Sequence, residues 1–209
     1  GGPMEGGRYK EHSEITLSTM REFAGQVKIG KLTREELTEI EKAALPGPGS
    51  CSMMGTANTM GCLIEALGMS PTGCGTMLAV DPRRPALARE AARLVLECLR
   101  SSLPPLKIVT RQAIENAMAV DMALGGSTNS GLHLLAIAHE ADIPLELDEF
   151  DAVARRVPHL CNVKPSGQYS VGRMDEAGGL PALMQELRAF LHLDALTVTG
   201  KTLGENIAG

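Results

Sequence analysis

Thr110-Arg111-Gln112-Ala113-Ile114-Glu115-Asn116-Ala117-Met118-Ala119-Val120-Asp121-Met122-Ala123-Leu124-Gly125-Gly126 is the run from which the fold class follows. It opens on an N-capping hydroxyl, carries Ile114, Ala117, Met118 and Met122 at helical spacing, and stops at two glycines. The same grammar repeats on both sides of it. Upstream, Thr33-Arg34-Glu35-Glu36 is a capping box followed by Leu37, Ile40, Ala43 and Ala44, and Pro46-Gly47-Pro48-Gly49 ends that helix. Thr56 to Leu67 predicts a second helix closed by Gly68 in a left-handed cap, and Pro85 opens a third that Pro104-Pro105 closes. Downstream, helices are predicted over Ser127 to Glu140, from Asp148, and from Pro181 through Leu187 to Leu191.

Strand candidates are four and short: Thr76 to Val80, Leu106 to Val109, Leu145 to Leu147 and Leu196 to Thr199. That is too little for a self-contained doubly wound sheet. With no internal repeat and no low-complexity tract, residues 1–209 read as a single helix-rich α/β unit whose principal strands lie outside the sequence.

Composition narrows the function classes. A hydrophobic content of 44% across 209 residues is enough for a core. No apolar run approaches the roughly 18 residues of a membrane span, since Leu132 to Ala138 is interrupted by His133 and soon meets His139, Glu140 and Asp142. Twenty Lys and Arg against 25 Asp and Glu, a net charge of −5, argue against a nucleic-acid partner, and 2% aromatics remove stacking platforms. Eleven Met, three Phe and no Trp leave the core to aliphatic side chains. Five Cys, an odd number, fit no disulfide framework and point to a reducing, cytoplasmic setting. Gly1-Gly2-Pro3-Met4 carries neither an initiator Met nor an apolar leader and reads as the middle of a longer protein or as a cloning scar.

Three segments could carry chemistry. In the first, Pro46 to Met60, Cys51 follows a stiff Pro/Gly turn and precedes a helix, where unpaired N–H groups and the dipole favour a thiolate that attacks electrophiles or ligates metal. The same residue types also fit a small buried Cys. Cys51, Cys62 and Cys74 are too widely spaced to chelate locally, Cys62 and Cys98 fall on apolar helical faces as packing residues, and Cys161 stays open. In the second, Met122 to Asn129, two glycines before Ser127, Thr128 and Asn129 can present N–H groups and hydroxyls to a carboxylate or phosphate, or simply cap a helix; nearby His133, flanked by leucines, reads as a satisfied core histidine. No Walker Lys and no G-x-G-x-x-G is present, which argues against nucleotide binding. In the third, Val157 to Tyr169, Pro, Asn, Ser and Gly predict an ordered loop in which Lys164 and Tyr169 supply donors; that loop and Asp175 to Gly179 could equally be plain connections.

Taken in order, Gly1-Gly2-Pro3-Met4 with Gly7-Arg8-Tyr9, Cys51 with Thr56-Ala57-Asn58-Thr59-Met60, Glu65-Ala66-Leu67-Gly68-Met69, Gly125-Gly126-Ser127-Thr128-Asn129, Pro158-His159-Leu160 through Lys164-Pro165-Ser166-Gly167, and Leu196 to Leu203 resemble the dihydroxy-acid and sugar-acid dehydratases, iron–sulfur hydro-lyases, over nearly the whole chain. The resemblance implies a piece of a three-layer α/β/α N-terminal domain without the family's C-terminal β-barrel. It implies that Cys51 is one of three cysteines holding a two-iron or four-iron cluster, and that Mg²⁺ serves the complete enzyme. The remaining cluster cysteines, the magnesium ligands and the serine base match no position here, so no catalytic residue is assigned and the isolated piece is expected to hold no stable cluster.

The activity implied is dehydration of a small 2,3-dihydroxy acid to a 2-keto acid in branched-chain amino-acid synthesis, since the Leu132 to Ala138 and Leu147 to Gly167 blocks look more like that enzyme than the sugar-acid enzymes. The alternatives are a sugar-acid dehydratase and a noncatalytic scaffold. Apolar faces at Met60/Leu63/Leu67 and Leu132/Leu135/Ile137 are expected to stay partly uncovered and to drive homo-oligomer formation.

Overall fold

The computed structural model describes residues 1–208. In chain order the elements are β1 (Gly7–Tyr9), β2 (His12–Ile15), α1 (Leu17–Lys28), α2 (Arg34–Ala44), α3 (Thr56–Ala66), α4 (Arg84–Arg100), α5 (Pro105–Ile108), α6 (Arg111–Leu124), α7 (Asn129–Glu140), α8 (Asp148–Ala154), α9 (Val171–Glu176), α10 (Gly179–Glu186), a 3₁₀ turn at Arg188–Phe190 and α11 (Leu203–Ile207). Among the described residues the sheet consists of β1 and β2 alone, antiparallel. The chain is therefore helix-rich, as its periodicity predicts.

The centre of the fold is α6 against α3. Ala113, Ala117, Ala119 and Ala123 keep α6 slim, so neighbours approach from several sides and bury Ile114, Met118, Val120 and Leu124 together with Leu63, Cys62 and Leu67 of the α3 segment. Thr110 caps α6 through its hydroxyl, which accepts from the Ala113 N–H, and Gly125 ends it at φ 63°, a left-handed conformation that glycine adopts without strain. α7 and α8 cover further faces of α6, and α9 to α11 close the remaining side. A smaller cluster of Ile15, Phe23, Ile40 and Ala44 joins the hairpin to α1 and α2. Gly7 is needed there, because a Cβ would stand 2.3 Å from the Ala43 carbonyl.

None of the four strand candidates forms a strand. Pro105 starts a helical turn that takes up Leu106 to Ile108, Leu196 makes a single bridge to Thr202, and Thr76–Val80 and Leu145–Leu147 run without a ladder. A strand needs a continuous neighbouring backbone to pair with, and these segments meet only isolated partners, as in Ala79 N–Pro3 O and Val198 N–Gly68 O (2.8 Å each). The hairpin, α1, α9 and α11 are additions to the expected elements: α9 and α11 span only six and five residues, the hairpin turns through Lys10 at φ 51° without a glycine, and α1, 12 residues long, has no explanation of that kind. Leu63 and Leu67 are fully covered by α6, contrary to the expected open face, whereas Leu132 is 69% exposed. Val95, Leu96 and Leu99 of α4 are exposed as well, and an apolar groove of about 720 Å³ runs between α4, α5 and Val198.

Candidate functional site

The loop carrying Cys51 is folded back onto the first turn of α3 by Asn58. This side chain is buried, its Nδ2 donates to the carbonyls of Cys51 and of Met53 (2.7 Å), and its Oδ1 accepts from Ser50 Oγ at 2.5 Å. All three polar bonds of a buried amide are thus spent on one loop. Ser50 in turn pairs with the N-terminal segment through Ser50 N–Gly2 O and Met4 N–Ser50 O, each 2.8 Å. The result places Cys51 Sγ, half-buried, beside Gly55, the N-cap of α3, where a Cβ would come within 3.0 Å of the sulfur. That is the helix end at which negative charge is favoured.

The turn from α6 into α7 meets the same helix end. The Ser127 N–H donates to Thr59 Oγ1 (3.1 Å), Ser127 Oγ and Thr56 Oγ1 share a hydrogen bond (3.1 Å), and Asn129 Nδ2 donates to Thr56 Oγ1 (2.8 Å). Two segments about 70 residues apart in sequence therefore form one polar cluster at the start of α3. Below it lies Asp121, 4% exposed, with Oδ2 2.5 Å from Ser130 Oγ and Oδ1 unpaired against Gly126.

The third segment packs across the same turn. The N–H groups of Leu160 and Cys161 donate to the Ala123 carbonyl (2.9 and 3.2 Å), and His159 and Ser166 lie against Gly125. The Met54 N–H donates to the Lys164 carbonyl (2.7 Å) and the Val171 N–H to the Ser52 carbonyl (2.9 Å), which ties this loop to the Cys51 loop. Lys164 Nζ is committed to the Glu14 carbonyl (2.6 Å) and Thr19 Oγ1 (3.0 Å), so it fastens the hairpin instead of offering a free donor. Tyr169 stands 47% exposed outside this network.

All three sequence-selected segments thus converge on the start of α3. A family model described as dihydroxy-acid/6-phosphogluconate dehydratase N-terminal matches residues 1–206. The chain belongs to this dehydratase family. It is 50% identical over 211 residues to a dihydroxy-acid dehydratase of Moorella thermoacetica, 49% over 210 residues to one of Halothermothrix orenii and 47% over 208 residues to one of Dehalococcoides mccartyi. These matches cover 98% to 100% of the chain and 38% of the length of each relative.

Within this dehydratase domain the five thiols differ sharply. Cys62 is fully buried, and desolvation holds its thiol well above the ordinary range; burial pushes Cys161 up to about 11 and raises Cys74. Cys98 donates to the Val198 carbonyl at 3.3 Å along the α4 groove. No three His, Cys, Asp or Glu side chains among the described residues converge to enclose a metal. Cys51, half-buried at a helix N-terminus, is the thiol whose placement could offer a metal or cluster one soft donor. His133 corrects an expectation: it lies on the outer face of α7, exposed, because the leucine that turns inward is Leu134. Asn58 and Asp121 were missed as site residues. Their signal was a polar side chain on a helix face otherwise made of buried residues.

Proposed function

We propose that this chain is the part of a dihydroxy-acid dehydratase that contributes Cys51 as one thiolate ligand of an iron–sulfur cluster, in an enzyme converting 2,3-dihydroxy carboxylic acids to 2-keto acids in branched-chain amino-acid synthesis. The observation that carries the reading is the position of Cys51: a half-buried sulfur at the α3 N-terminus, in a loop rigidly tied by Asn58 and adjoining the Thr56, Ser127 and Asn129 cluster. When bound, the cluster supplies a Lewis-acidic iron for the departing hydroxyl. The chain's own part is to fix the sulfur and to present hydroxyl and amide groups to a polar, oxygen-rich ligand. Asn129 Nδ2 carries two protons and spends one on Thr56, which leaves a donor for such a ligand.

The base and the Mg²⁺ site of the complete enzyme are assigned to residues beyond this chain. A cytoplasmic homo-oligomer acting on a small-molecule acid completes the proposal, and no helix among the described residues is long and apolar enough to cross a membrane.

The test is the full-length protein purified without oxygen, assayed for iron, sulfide and turnover of 2,3-dihydroxyisovalerate beside a panel of sugar acids. Iron with turnover of the branched acid is the expected result. Preference for a sugar acid moves the protein to the other named branch of its family, and absence of both iron and turnover leaves a scaffold.

A further inference from the structure

The hydrogen bonds around Ser130 do not close unless Asp121 carries a proton. Ser130 Oγ lies 2.5 Å from Asp121 Oδ2 and 2.5 Å from the Ser127 carbonyl. A serine hydroxyl has one proton to give, and both neighbours are acceptors when Asp121 is ionised. One of the two short contacts would then set lone pair against lone pair. If Asp121 is the acid, Oδ2–H donates to Ser130 Oγ, Ser130 Oγ–H donates to the Ser127 carbonyl, and each contact has its proton.

The other oxygen of the same carboxyl agrees. Oδ1 is buried with no donor and rests on Gly126, where even a Cβ would come within 2.0 Å of it. Leaving the oxygen of an ionised carboxylate buried and unpaired is far more costly than leaving that of a neutral acid.

We infer that Asp121 is a protonated acid whose relay through Ser130 adds a side-chain bond to the Ser127 carbonyl, which the Ser130 N–H also holds (2.9 Å), making Asp121 a positioning residue for the Gly126–Asn129 turn. The inference stands on hydrogen bonding alone and does not rest on the dehydratase reading.

The surroundings are uncharged. From α3 Asp121 faces Thr59, from α7 Ser130 and from the turn Gly126. Glu65 of α3 is bound instead to the N–H groups of Gly73 and Gly75, Cys62 is buried in the core, and His133 and His139 of α7 are exposed. His159 packs one residue further along, on Gly125, and α8 meets the opposite end of α6 through Arg111 and Glu149. Burial raises the Asp121 pKa to about 6 against a bond from Ser130 that lowers it. Since that proton is claimed by the Ser127 carbonyl, the lowering influence is weaker and the acid form gains further.

Isotope-edited infrared spectroscopy of the full-length protein with labelled aspartate tests this, read as the difference between wild type and Asp121→Asn. A protonated-carboxyl band that titrates near or above pH 6 is expected; only carboxylate bands at pH 5 would overturn the inference. Asp121→Asn, which keeps a donor toward Ser130, should retain the wild-type fold, whereas equal damage from Asn and Leu at this position counts against a donor role.

Ser130→Ala supplies a readout of sign that survives even if the Asp121 variants fail to fold. Removing an acceptor of the acid lowers the titration midpoint, while removing a donor to the carboxylate raises it. A downward shift supports the relay and an upward shift refutes it.

Discussion

The side-chain amide of Asn58 donates to the main-chain carbonyl of Cys51, seven residues earlier, and by doing so sets where the sulfur stands. Its second proton goes to Met53, so the loop cannot rotate about Cys51 without breaking both bonds. Asn58→Ala would leave the Cys51 carbonyl without a partner, while the Met53 carbonyl keeps the Gly55 N–H (2.8 Å) and the Ser50 hydroxyl turns to the Gly2 carbonyl (3.1 Å), at a cost of about 1–3 kcal/mol. Asn58→Asp should be at least as harmful, because a carboxylate faces two carbonyls with nothing to donate. The expected result in the full-length protein is faster loss of iron to a chelator in both variants. Iron retention equal to wild type would show that the loop holds its shape without Asn58.

Cysteine replacement separates the proposed ligand from the packing thiols. Cys51→Ser exchanges a soft donor for a hard hydroxyl of similar size, so iron should be lost while the circular-dichroism spectrum stays unchanged. Cys98→Ser should keep its iron and cost less than about 1 kcal/mol, since the new hydroxyl finds the Val198 carbonyl that the thiol already uses. Equal iron loss in the two variants would mean that the ligand has been misassigned.

Gly126 tolerates no side chain. A Cβ would meet Asp121 Oδ1 at 2.0 Å and Thr59 Cγ2 at 2.8 Å, both on packed helices. Gly126→Ala should therefore destabilise the protein by about 1–3 kcal/mol or more in urea unfolding, as overpacking does. A change below about 0.5 kcal/mol would indicate that the turn moves aside freely.

Stability should fall as pH rises through the Asp121 transition. The folded pKa is raised from 3.8 to about 6, so the folded state binds the proton more tightly than the unfolded chain. The contribution is complete below about pH 4 and disappears as pH passes 6, a loss of about 3 kcal/mol. Glu65, raised by burial, acts with the same sign. Denaturation midpoints measured from pH 4.5 to 7.5 should show a slope that flattens in Asp121→Asn; an unchanged slope in that variant would assign the effect to other groups.

The capping box at Thr33 anchors the smaller cluster. Thr33 Oγ1 accepts from the Glu36 N–H at 3.1 Å and Glu36 Oε2 accepts from the Thr33 N–H at 3.0 Å. Thr33→Ala should cost about 1 kcal/mol. Hydrogen exchange should speed up in α1, α2 and the hairpin first, because Ile15, Phe23, Ile40 and Ala44 form a core of their own. Uniform acceleration through α6 would instead show that the two clusters unfold together.

Local chemistry settled most of the helices. Thr33, Thr110, Gly68 and Gly125 act at helix ends within a few residues of the groups they serve, so their meaning survives without knowledge of the rest of the chain. The sequence also singled out Cys51, the Gly125–Asn129 turn and the Pro158–Tyr169 loop, each by residue type. Tertiary structure decided the rest, because those decisions depend on what lies across space. The strand candidates found no ladder: Leu106 to Ile108 went into a helical turn, and Leu196 met a neighbouring backbone only in its single bridge to Thr202. His133 faces outward because α7 turns Leu134, not its neighbour, toward α6. The meeting of Thr56 with Ser127, of His159 with Gly125 and of Ser130 with Asp121 was set by how α3, α6 and α7 pack, and so was the proton on Asp121: burial and a hydroxyl with one hydrogen decide it, and neither is written in the spacing of residues.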